Sequence, residues 1–262
     1  MEFTNEYIQR AAAGHITNAF VYHKFGASEE IGPQFTPVSY DNVYMTPTTA
    51  QPLEVVSDSN QDSPTGSGAS TVIIEGIGPD WRFQSEEVAL DGTTPVPTVN
   101  NFLRVFRVAV GNSNSYAVPS TVSSHDGTID VRDLGGGVVW GSVEQLPTTN
   151  NGGYGIGTSL IACYSVPKGW EAFLLNREIN VKVDKDVDVI LFSRENADII
   201  VPPFSPMKSS TVRYGISGTN VRPAKTLGER FVGPCDMGFM ARSASDKAEV
   251  SIAFDLLLVN VC

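Results

Sequence analysis

The sequence predicts an all-β protein with one or two antiparallel β-sandwich domains of jelly-roll-like form, preceded by a short N-terminal arm or helix. Two observations lead to this fold class. Of the 262 residues, 24 are glycine and 16 are proline, and both residue types favour turns over helix interiors. Apolar and polar residues alternate with period two in segments that turn residues separate at intervals of about 10–15 residues, which is typical of sandwiches and barrels.

Helical periodicity is confined to residues 5–13, and Gly14 ends this predicted helix. The last predicted strand, 250–259, has the clearest alternation, with Phe254 on its apolar face. Its end is apolar on both faces, so we expect a central strand. The predicted strands are 19–24, 71–75, 102–110, 159–166, 171–175, 181–192 and 250–259.

Small polar and turn residues predict loops at 57–70, 112–119 and 148–157. The third lies within residues 145–158, which are rich in Gly and Asn and nearly free of apolar side chains, and this composition predicts a domain boundary. The predicted division is an N-terminal arm (1–17), an N-terminal β domain (18–147) and a C-terminal β-sandwich domain (158–262). One continuous two-sheet domain is the alternative.

The charge excludes one class of protein. Lys and Arg number 18 against 29 Asp and Glu, a net charge of −11, whereas binding to nucleic acid phosphates needs a cationic surface. No apolar run approaches the roughly 18–20 residues of a membrane span, and the first residues do not resemble a secretion signal. We therefore expect a soluble chain that is synthesised in the cytoplasm, with no nucleic acid and no membrane as partners. The cysteines, Cys163, Cys235 and Cys262, are odd in number and widely spaced, which predicts reduced structural thiols.

One segment has the spacing of a calcium loop. Asp184, Asp186, Asp188 and Glu195 occupy positions 1, 3, 5 and 12 of such a loop. However, Val189 stands where the loop needs glycine for its sharp turn. The run is interpreted as an alternating strand with a charged outer face, and no metal site is predicted.

Glycines and histidines do not predict a cofactor loop or a catalytic triad. The clusters at 135–137 and 153–157 lack a following helix and the Lys-Ser/Thr pair of a phosphate-binding loop, so they predict turns. His15, His23 and His125 lack ligand spacing, and no G-x-S-x-G nucleophile motif is present. We expect no catalytic residue and no cofactor.

Carboxylates and tryptophans leave two further alternatives. The pairs at 29–30 and 86–87 are assigned to solubility, because glycoside cleavage would need two carboxylates about 5–10 Å apart in a cleft. Trp81, Trp140 and Trp170 are assigned to the core, with a carbohydrate-binding platform as the alternative. The chain is therefore not predicted to be an enzyme.

Six segments, in order along the chain, carry a resemblance: NAFVYHKFG (18–26), GASTVIIEG (68–76), QSEEVALDGTT (84–94), NFLRVFR (101–107), YSVPKGW (164–170) and SIAFDLLLV (251–259). As an ordered set they resemble a family of largely uncharacterised virion structural proteins of tailed, mostly marine bacteriophages. Each segment is degenerate alone, and their order makes the set more specific. That family offers no catalytic residues to transfer.

The resemblance implies a structural virion protein. The leading expectation is a capsid-associated decoration or cement protein on the outer surface of the virion, bridging and stabilising major capsid subunits. Its partners would be the major capsid protein or other virion proteins and further copies of itself, with a trimer favoured. Residues 1–32 are the candidate for an arm that reaches a neighbour. The alternative is a tail, neck or fibre component that contributes to recognition of a glycan on the host surface.

Overall fold

The computed structural model describes residues 5–116, 124–146, 154–182, 185–222, 228–244 and 247–261. Within these ranges the chain is almost entirely β, with one helix, α1 (Asn5–Ala12), and none long and apolar enough to cross a membrane. The all-β class is confirmed. The strands are β1 (Ala19–Ile31), β2 (Thr36–Pro37), β3 (Gln51–Ser57), β4 (Ala69–Ile77), β5 (Phe83–Ala89), β6 (Val96–Phe102), β7 (Arg104–Ser113), β8 (Ile129–Asp133), β9 (Val139–Val143), β10 (Gln145–Leu146), β11 (Tyr154–Gly155), β12 (Cys163–Val166), β13 (Trp170–Val181), β14 (Val187–Glu195), β15 (Lys208–Ile216), β16 (Gly218–Arg222), β17 (Glu229–Val232), β18 (Cys235–Ser243) and β19 (Ala248–Asn260).

The chain divides into two compact units. Unit 1 combines Met1–Asn42 with Ile161–Cys262, and unit 2 is Val43–Leu160. Unit 2 is thus inserted in sequence between β2 and β12 of unit 1.

Unit 1 is a jelly roll. Its first sheet has the order β1-β19-β13-β16, and β17 pairs with a second stretch of β13, so that β16 and β17 share one strand position. Its second sheet has the order β12-β18-β14-β15, with β2 also beside β18. We number the strand positions 1 to 8 in chain order, as β1, β12, β13, β14, β15, the shared position of β16 and β17, β18 and β19. In these numbers the two sheets have the orders 1-8-3-6 and 2-7-4-5. This antiparallel order is the double Greek key of jelly rolls.

The core of unit 1 lies between its two sheets. Ile252, Phe254 and Leu256 of β19 are fully buried. The Phe254 ring meets Phe239 of the second sheet edge to face, with centroids 5.2 Å apart. β19 lies between β1 and β13, so its prediction as a central strand is confirmed.

Unit 2 is a second antiparallel sandwich. One sheet has the order β6-β3-β8-β9 and the other β5-β4-β7, while β10 pairs with β11. Apolar side chains from both sheets form one core, because alternate residues of each strand face inward. Its buried members are Leu53, Val55, Ala69, Val72, Ile74, Val88, Leu90, Phe102, Val105, Val108, Ile129, Val131, Trp140 and Val143.

The predicted division at 145–158 differs from the two units of the structure. Strand β1, assigned from sequence to an N-terminal domain (18–147), pairs along its length with β19. The N-terminal stretch of unit 1 and its C-terminal part (161–262) therefore fold together. Alternation within a strand does not identify the partner strand, which is why the sequence placed β1 in the wrong domain.

The predicted N-terminal arm is also corrected. Helix α1 forms within the predicted residues 5–13, but it does not extend away from the sheet. Ala11 is buried with Leu175 and Leu257 on the outer face of the first sheet. Residues 19–31, included in the candidate arm, form β1. The helix stays on its own sheet because burial of its apolar side is favourable.

Most predicted strands are confirmed, with shifted ends. Residues 19–24, 71–75, 171–175 and 250–259 lie inside β1, β4, β13 and β19. The prediction for 102–110 spans the junction of β6 and β7 at Leu103, and that for 159–166 is a strand only over Cys163–Val166. The predicted loop 57–70 connects β3 to β4, and the predicted loops 112–119 and 148–157 lie partly outside the described residues.

The predicted strand 181–192 is wrong. β13 of the first sheet ends at Val181, and β14 of the second sheet begins at Val187. In the described part of the connection, the Lys185 N–H donates to the Lys182 carbonyl over 3.3 Å. Charged and apolar residues alternate in the sequence across both strand ends, so the pattern does not show where one sheet ends and the other begins.

Replacing Phe254 with Asp is expected to abolish soluble expression. The change removes packing worth about 3–5 kcal/mol, and it places an unpaired carboxylate between the two sheets of unit 1. The matched control is Phe25→Asp, since Phe25 is 41% exposed. Soluble yield and thermal melting are measured for both variants, and a Phe254→Asp protein that melts cooperatively at the wild-type temperature would contradict the assigned core.

Candidate interaction surface

Residues 196–207, between β14 and β15, expose an apolar segment of unit 1. It contains Pro202, Pro203 and Pro206, which lack the N–H needed for a strand ladder and so keep it out of the sheet. Clusters of exposed apolar side chains are candidate interaction sites, because large exposed apolar patches mark sites of binding to other proteins. Its large side chains, between 41% and 65% exposed, are Ile199, Ile200, Val201, Phe204 and Met207.

The base of this loop is held in place. Ala197 is buried, and its N–H donates to the Pro234 carbonyl over 3.1 Å. The Asn196 Nδ2 donates to Ser205 Oγ over 3.4 Å and so ties the two sides of the loop together. The apolar tip is therefore presented by a fixed base.

The neighbouring strand β15 continues this surface. It pairs with β14 on one side, and among the described strands none pairs with its other side. Val212 and Tyr214 on β15 are 41% and 74% exposed. Edge strands of this kind present unpaired backbone groups to a partner. We call residues 199–216 the 199–216 surface.

The charge of this region differs from that of the rest of the chain. Residues 199–228 contain four basic residues and no acidic residue. The remaining sequence has 29 acidic and 14 basic residues, a net charge of −15. Lys208, at the start of β15, lies 3.7 Å from Glu195 and is 63% exposed. Within the 199–216 surface itself the basic residues are Lys208 and Arg213, and no acidic residue lies in this stretch of the sequence.

The carboxylates of the calcium-like run have other partners. Asp188 accepts hydrogen bonds from the Arg242 side chain (Nη2, 2.9 Å) and from the Gly215 N–H (3.0 Å). Glu195 pairs with Lys208, while Asp184 lies outside the described residues. No group of three or more potential metal-ligating side chains occurs in the part of the chain that the structure describes.

The glycine cluster at 135–137 forms a turn, as predicted, and the turn holds a carboxylate of the chain itself. The N–H groups of Gly135 and Gly136 donate to Glu54 over 2.9 and 3.0 Å, and Arg132 Nε donates over 2.8 Å. Both glycines have positive φ, near +80°. Burial would raise the pKa of Glu54, but the hydrogen bonds from Gly135, Arg132 and Gly136 outweigh it and lower the pKa below 4.5.

Of the histidines, His23 has a partner that sequence reasoning missed. Its Nδ1 lies 2.7 Å from Asp255 Oδ1, although the two residues are 232 positions apart. Asn176 Nδ2 donates to the other oxygen of Asp255 over 2.7 Å. His125 is buried, with Nδ1 2.7 Å from the Gly127 carbonyl, and His15 is exposed. Only strand pairing across the sequence could have revealed the His23–Asp255 pair.

The two described cysteines are poor nucleophiles. Cys163 and Cys235 are free and buried. Burial is the main cause that raises the pKa of each thiol to about 12, and the nearby Asp236 carboxylate contributes to the rise. The thiolate is the reactive form of cysteine, so neither residue is suited to nucleophilic catalysis at neutral pH.

The adjacent carboxylates do not act as pairs. Glu86 accepts from the N–H groups of Val99 and Asn100 over 2.7 and 2.9 Å, and Glu87 accepts from Thr71 over 2.6 Å. Glu30 pairs with Lys247 over 2.8 Å. These four contacts hold neighbouring strands and turns together.

Glu29 lines an open cavity of about 330 Å³ on unit 1. Glu249 also lines it and pairs with Lys182. The rest of the lining is Asn180 and small or apolar side chains such as Ala27. The cavity contains no activated nucleophile.

The tryptophans do not form a common carbohydrate platform. Trp140 is 1% exposed, and its Nε1 donates to Asp133 over 2.7 Å. Trp81 is buried, with the Arg104 guanidinium 5.0 Å from its ring centroid. Trp170 is partly exposed and meets Phe20 edge to face at 5.4 Å. The core assignment is confirmed for Trp81 and Trp140.

The predicted loop 57–70 is anchored by one buried carboxylate. Asp62 is fully buried and accepts from Ser57 Oγ over 2.6 Å and from the Ala69 N–H over 2.8 Å. It also accepts from the N–H groups of Asp126 and Gly127, each over 2.8 Å. A single side chain thus fixes two loops of unit 2.

No protein-family model and no curated protein matches the chain. Among solved structures it is similar to an Arthrobacter globiformis isomalto-dextranase complexed with panose, at 11% identity and TM-score 0.21, over 82% of this chain and 34% of that chain. The chain thus spans about a third of that structure's length.

It is also similar to the T13 particle of infectious bursal disease virus, at 6% identity and TM-score 0.18, over 94% of this chain and 74% of that chain. For the Gx strain of that virus the identity is 8% and the TM-score 0.19, over 92% of this chain and 69% of that chain. TM-scores of 0.21 and below carry no argument about fold or function.

Replacing Glu54 with Gln is expected to lower the free energy of unfolding of unit 2 by about 1.5–3 kcal/mol at pH 7, the usual contribution of a hydrogen bond to a charged group. Because the folded pKa is lowered, the stabilisation is complete above the unfolded value and is lost as pH falls through the folded value. The difference between wild type and variant should therefore narrow below pH 4.5. Urea unfolding across pH tests this, with exposed Glu29→Gln as control. A difference that is constant with pH would contradict the assigned contacts.

Proposed function

We propose that the chain is a structural protein of a tailed-phage virion, and that it is a capsid-associated decoration or cement protein. The observation that carries this proposal is the exposed, apolar 199–216 surface on a jelly-roll unit. Jelly rolls are a recurrent architecture of viral capsid proteins, and an exposed apolar patch is suited to binding another protein. The ordered sequence resemblance supports the same role.

The proposed role is mechanical. The protein binds neighbouring subunits of the major capsid protein on the outside of the shell and stabilises their contacts. Binding one assembled state more tightly than its separated parts stabilises that state by mass action. An acidic chain suits this location, because it is repelled by the packaged nucleic acid and keeps the outer surface soluble. A homo-oligomer, with a trimer favoured, would match a symmetric shell.

Reconstruction of the virion by cryo-electron microscopy tests the proposal. We expect many regularly spaced copies on the outer face of the shell, each in contact with major capsid subunits. A few copies at one vertex would instead indicate the alternative role, a tail, neck or fibre component that contributes to glycan recognition. Absence of the chain from purified virions, checked by mass spectrometry, would overturn both roles.

A further inference from the structure

We propose that a trough on the outer face of the first sheet of unit 1 binds a neutral saccharide. We name it the β19 trough. Its floor is Ser251 and Ala253 of β19, and its sides are residues 25–29 of β1 and residues 178–182 at the end of β13. Such binding goes beyond the mechanical role in a shell. It is measured on the purified chain, so its failure is distinguishable from failure of the virion role.

The pairing of three strands builds the β19 trough. Phe254 faces the core, so Ser251 and Ala253 are directed to the outer face, where both are partly exposed. The cross-strand partners of Ala253 are Phe25 and Glu178, and those of Ser251 are Ala27 and Asn180. Small side chains on the central strand thus lie between Phe25 on one side and longer polar side chains on the other, which leaves a concave surface.

A cavity occupies one end of the trough. Its volume is about 330 Å³, and it is lined by residues 27–29, 180–182 and 249–251. Pockets that bind small molecules have volumes from about 300 Å³ upward. β1 has a bulge at this point, because Ser28 pairs with Val250 whereas Ile31 pairs with Ala248. Bulges often re-aim a side chain beside a binding site, and here the exposed Glu29 lines the cavity.

Polar groups of the trough are held in place and keep capacity for a ligand. Asn180 Nδ2 donates to Glu178 Oε1 over 2.9 Å, and the Lys182 ammonium pairs with Glu249. A side-chain amide has two N–H donors and a carboxylate has about four acceptor positions, so these groups can form further hydrogen bonds. Because they are already paired, less side-chain ordering is needed on binding. Sugar hydroxyl groups both donate and accept, and they match this mixed set of donors and acceptors.

Phe25 supplies the apolar part of the site. It is 41% exposed and lies on the same face of β1 as Ala27. The face of a sugar ring that carries C–H groups is apolar, and it packs on the electron-rich face of an aromatic ring. Phe25 and Glu178 lie on opposite sides of β19, about 10 Å apart at the backbone. A sugar that packs on Phe25 therefore reaches the polar side chains across the floor of the trough.

Other classes of ligand match the trough less well. A metal ion is disfavoured because no group of three or more potential metal-ligating side chains occurs among the described residues. An anion would meet the carboxylates of Glu29 and Glu178. A protein partner usually binds through several apolar or aromatic anchors. Of the described residues in the trough, only Phe25 is a large apolar residue with an exposed side chain.

Binding of the purified full chain to an array of oligosaccharides tests the proposal. The array carries neutral oligosaccharides of glucose, galactose, mannose and N-acetylhexosamines, and acidic oligosaccharides for comparison. We expect binding to at least one neutral probe. In a titration with that probe, followed by heteronuclear NMR, the shifted amide signals should belong to residues 25–29, 178–182 and 249–253.

Substitutions assign the binding to the trough. Phe25→Ala should weaken binding of the neutral probe by about 10-fold, the effect of losing one aromatic contact. Asn180→Ala should weaken it by about 5-fold, the effect of losing one hydrogen bond. The matched control is Phe83→Ala, since Phe83 is 47% exposed on unit 2, and it should bind like the wild type.

Circular dichroism and melting temperature establish that each variant is folded. If Phe25→Ala unfolds, Phe25→Leu replaces it, because leucine keeps an apolar side chain without an aromatic face. The proposal is overturned by any of four results: no neutral probe binds at millimolar concentration, only acidic probes bind, the shifted signals lie outside the trough, or the folded Phe25 variant binds with wild-type affinity.

Discussion

The pairing of β1 with β19 is the contact on which the rest of the fold depends. It joins residues from the two ends of unit 1, such as Lys24 and Phe254, and makes β19 an interior strand of its sheet. The outer face of this sheet then receives helix α1 through Ala11. In the folded protein the chain leaves unit 1 after β2, forms unit 2 and returns to unit 1 at β12. At the return, the Ala162 N–H donates to the Val38 carbonyl over 2.8 Å and resumes the jelly roll.

Local patterns were sufficient for the fold class and for several elements, and insufficient for their partners. The alternation around Phe254 predicted a buried strand, and the apolar residues on both faces at the end of that strand predicted a central position in its sheet. The alternation at 19–24 is equally clear, but it would look the same beside any strand. Domain division therefore failed where pairing was most distant in sequence. The same limit hid the contact between His23 and Asp255.

The interaction surface was missed for a different reason. Periodicity identifies residues that are buried, whereas the stretch around Val201 and Phe204 is apolar and exposed. The sequence does contain a signal that could have revealed this exposed segment. Residues 199–207 are all uncharged and include three prolines, and proline keeps an apolar run out of a sheet. The sequence predicted only one part of the Glu54 contact, because three consecutive glycines predicted the turn but not the carboxylate that it holds.

The excess of acidic over basic residues is distributed unevenly between the two units, with a net charge of −8 in unit 2 and −3 in unit 1.

The insertion of unit 2 after the first strands of unit 1 has a consequence for synthesis on the ribosome. His23 emerges early, and its partner Asp255 follows 232 residues later. At translation rates of about 5–20 residues per second, β1 waits for roughly 10–50 s while unit 2 is completed and can fold. During this wait β1 is an unpaired strand. Lys24, Glu29 and Glu30 give it charge, which protects a nascent strand from aggregation until β19 arrives.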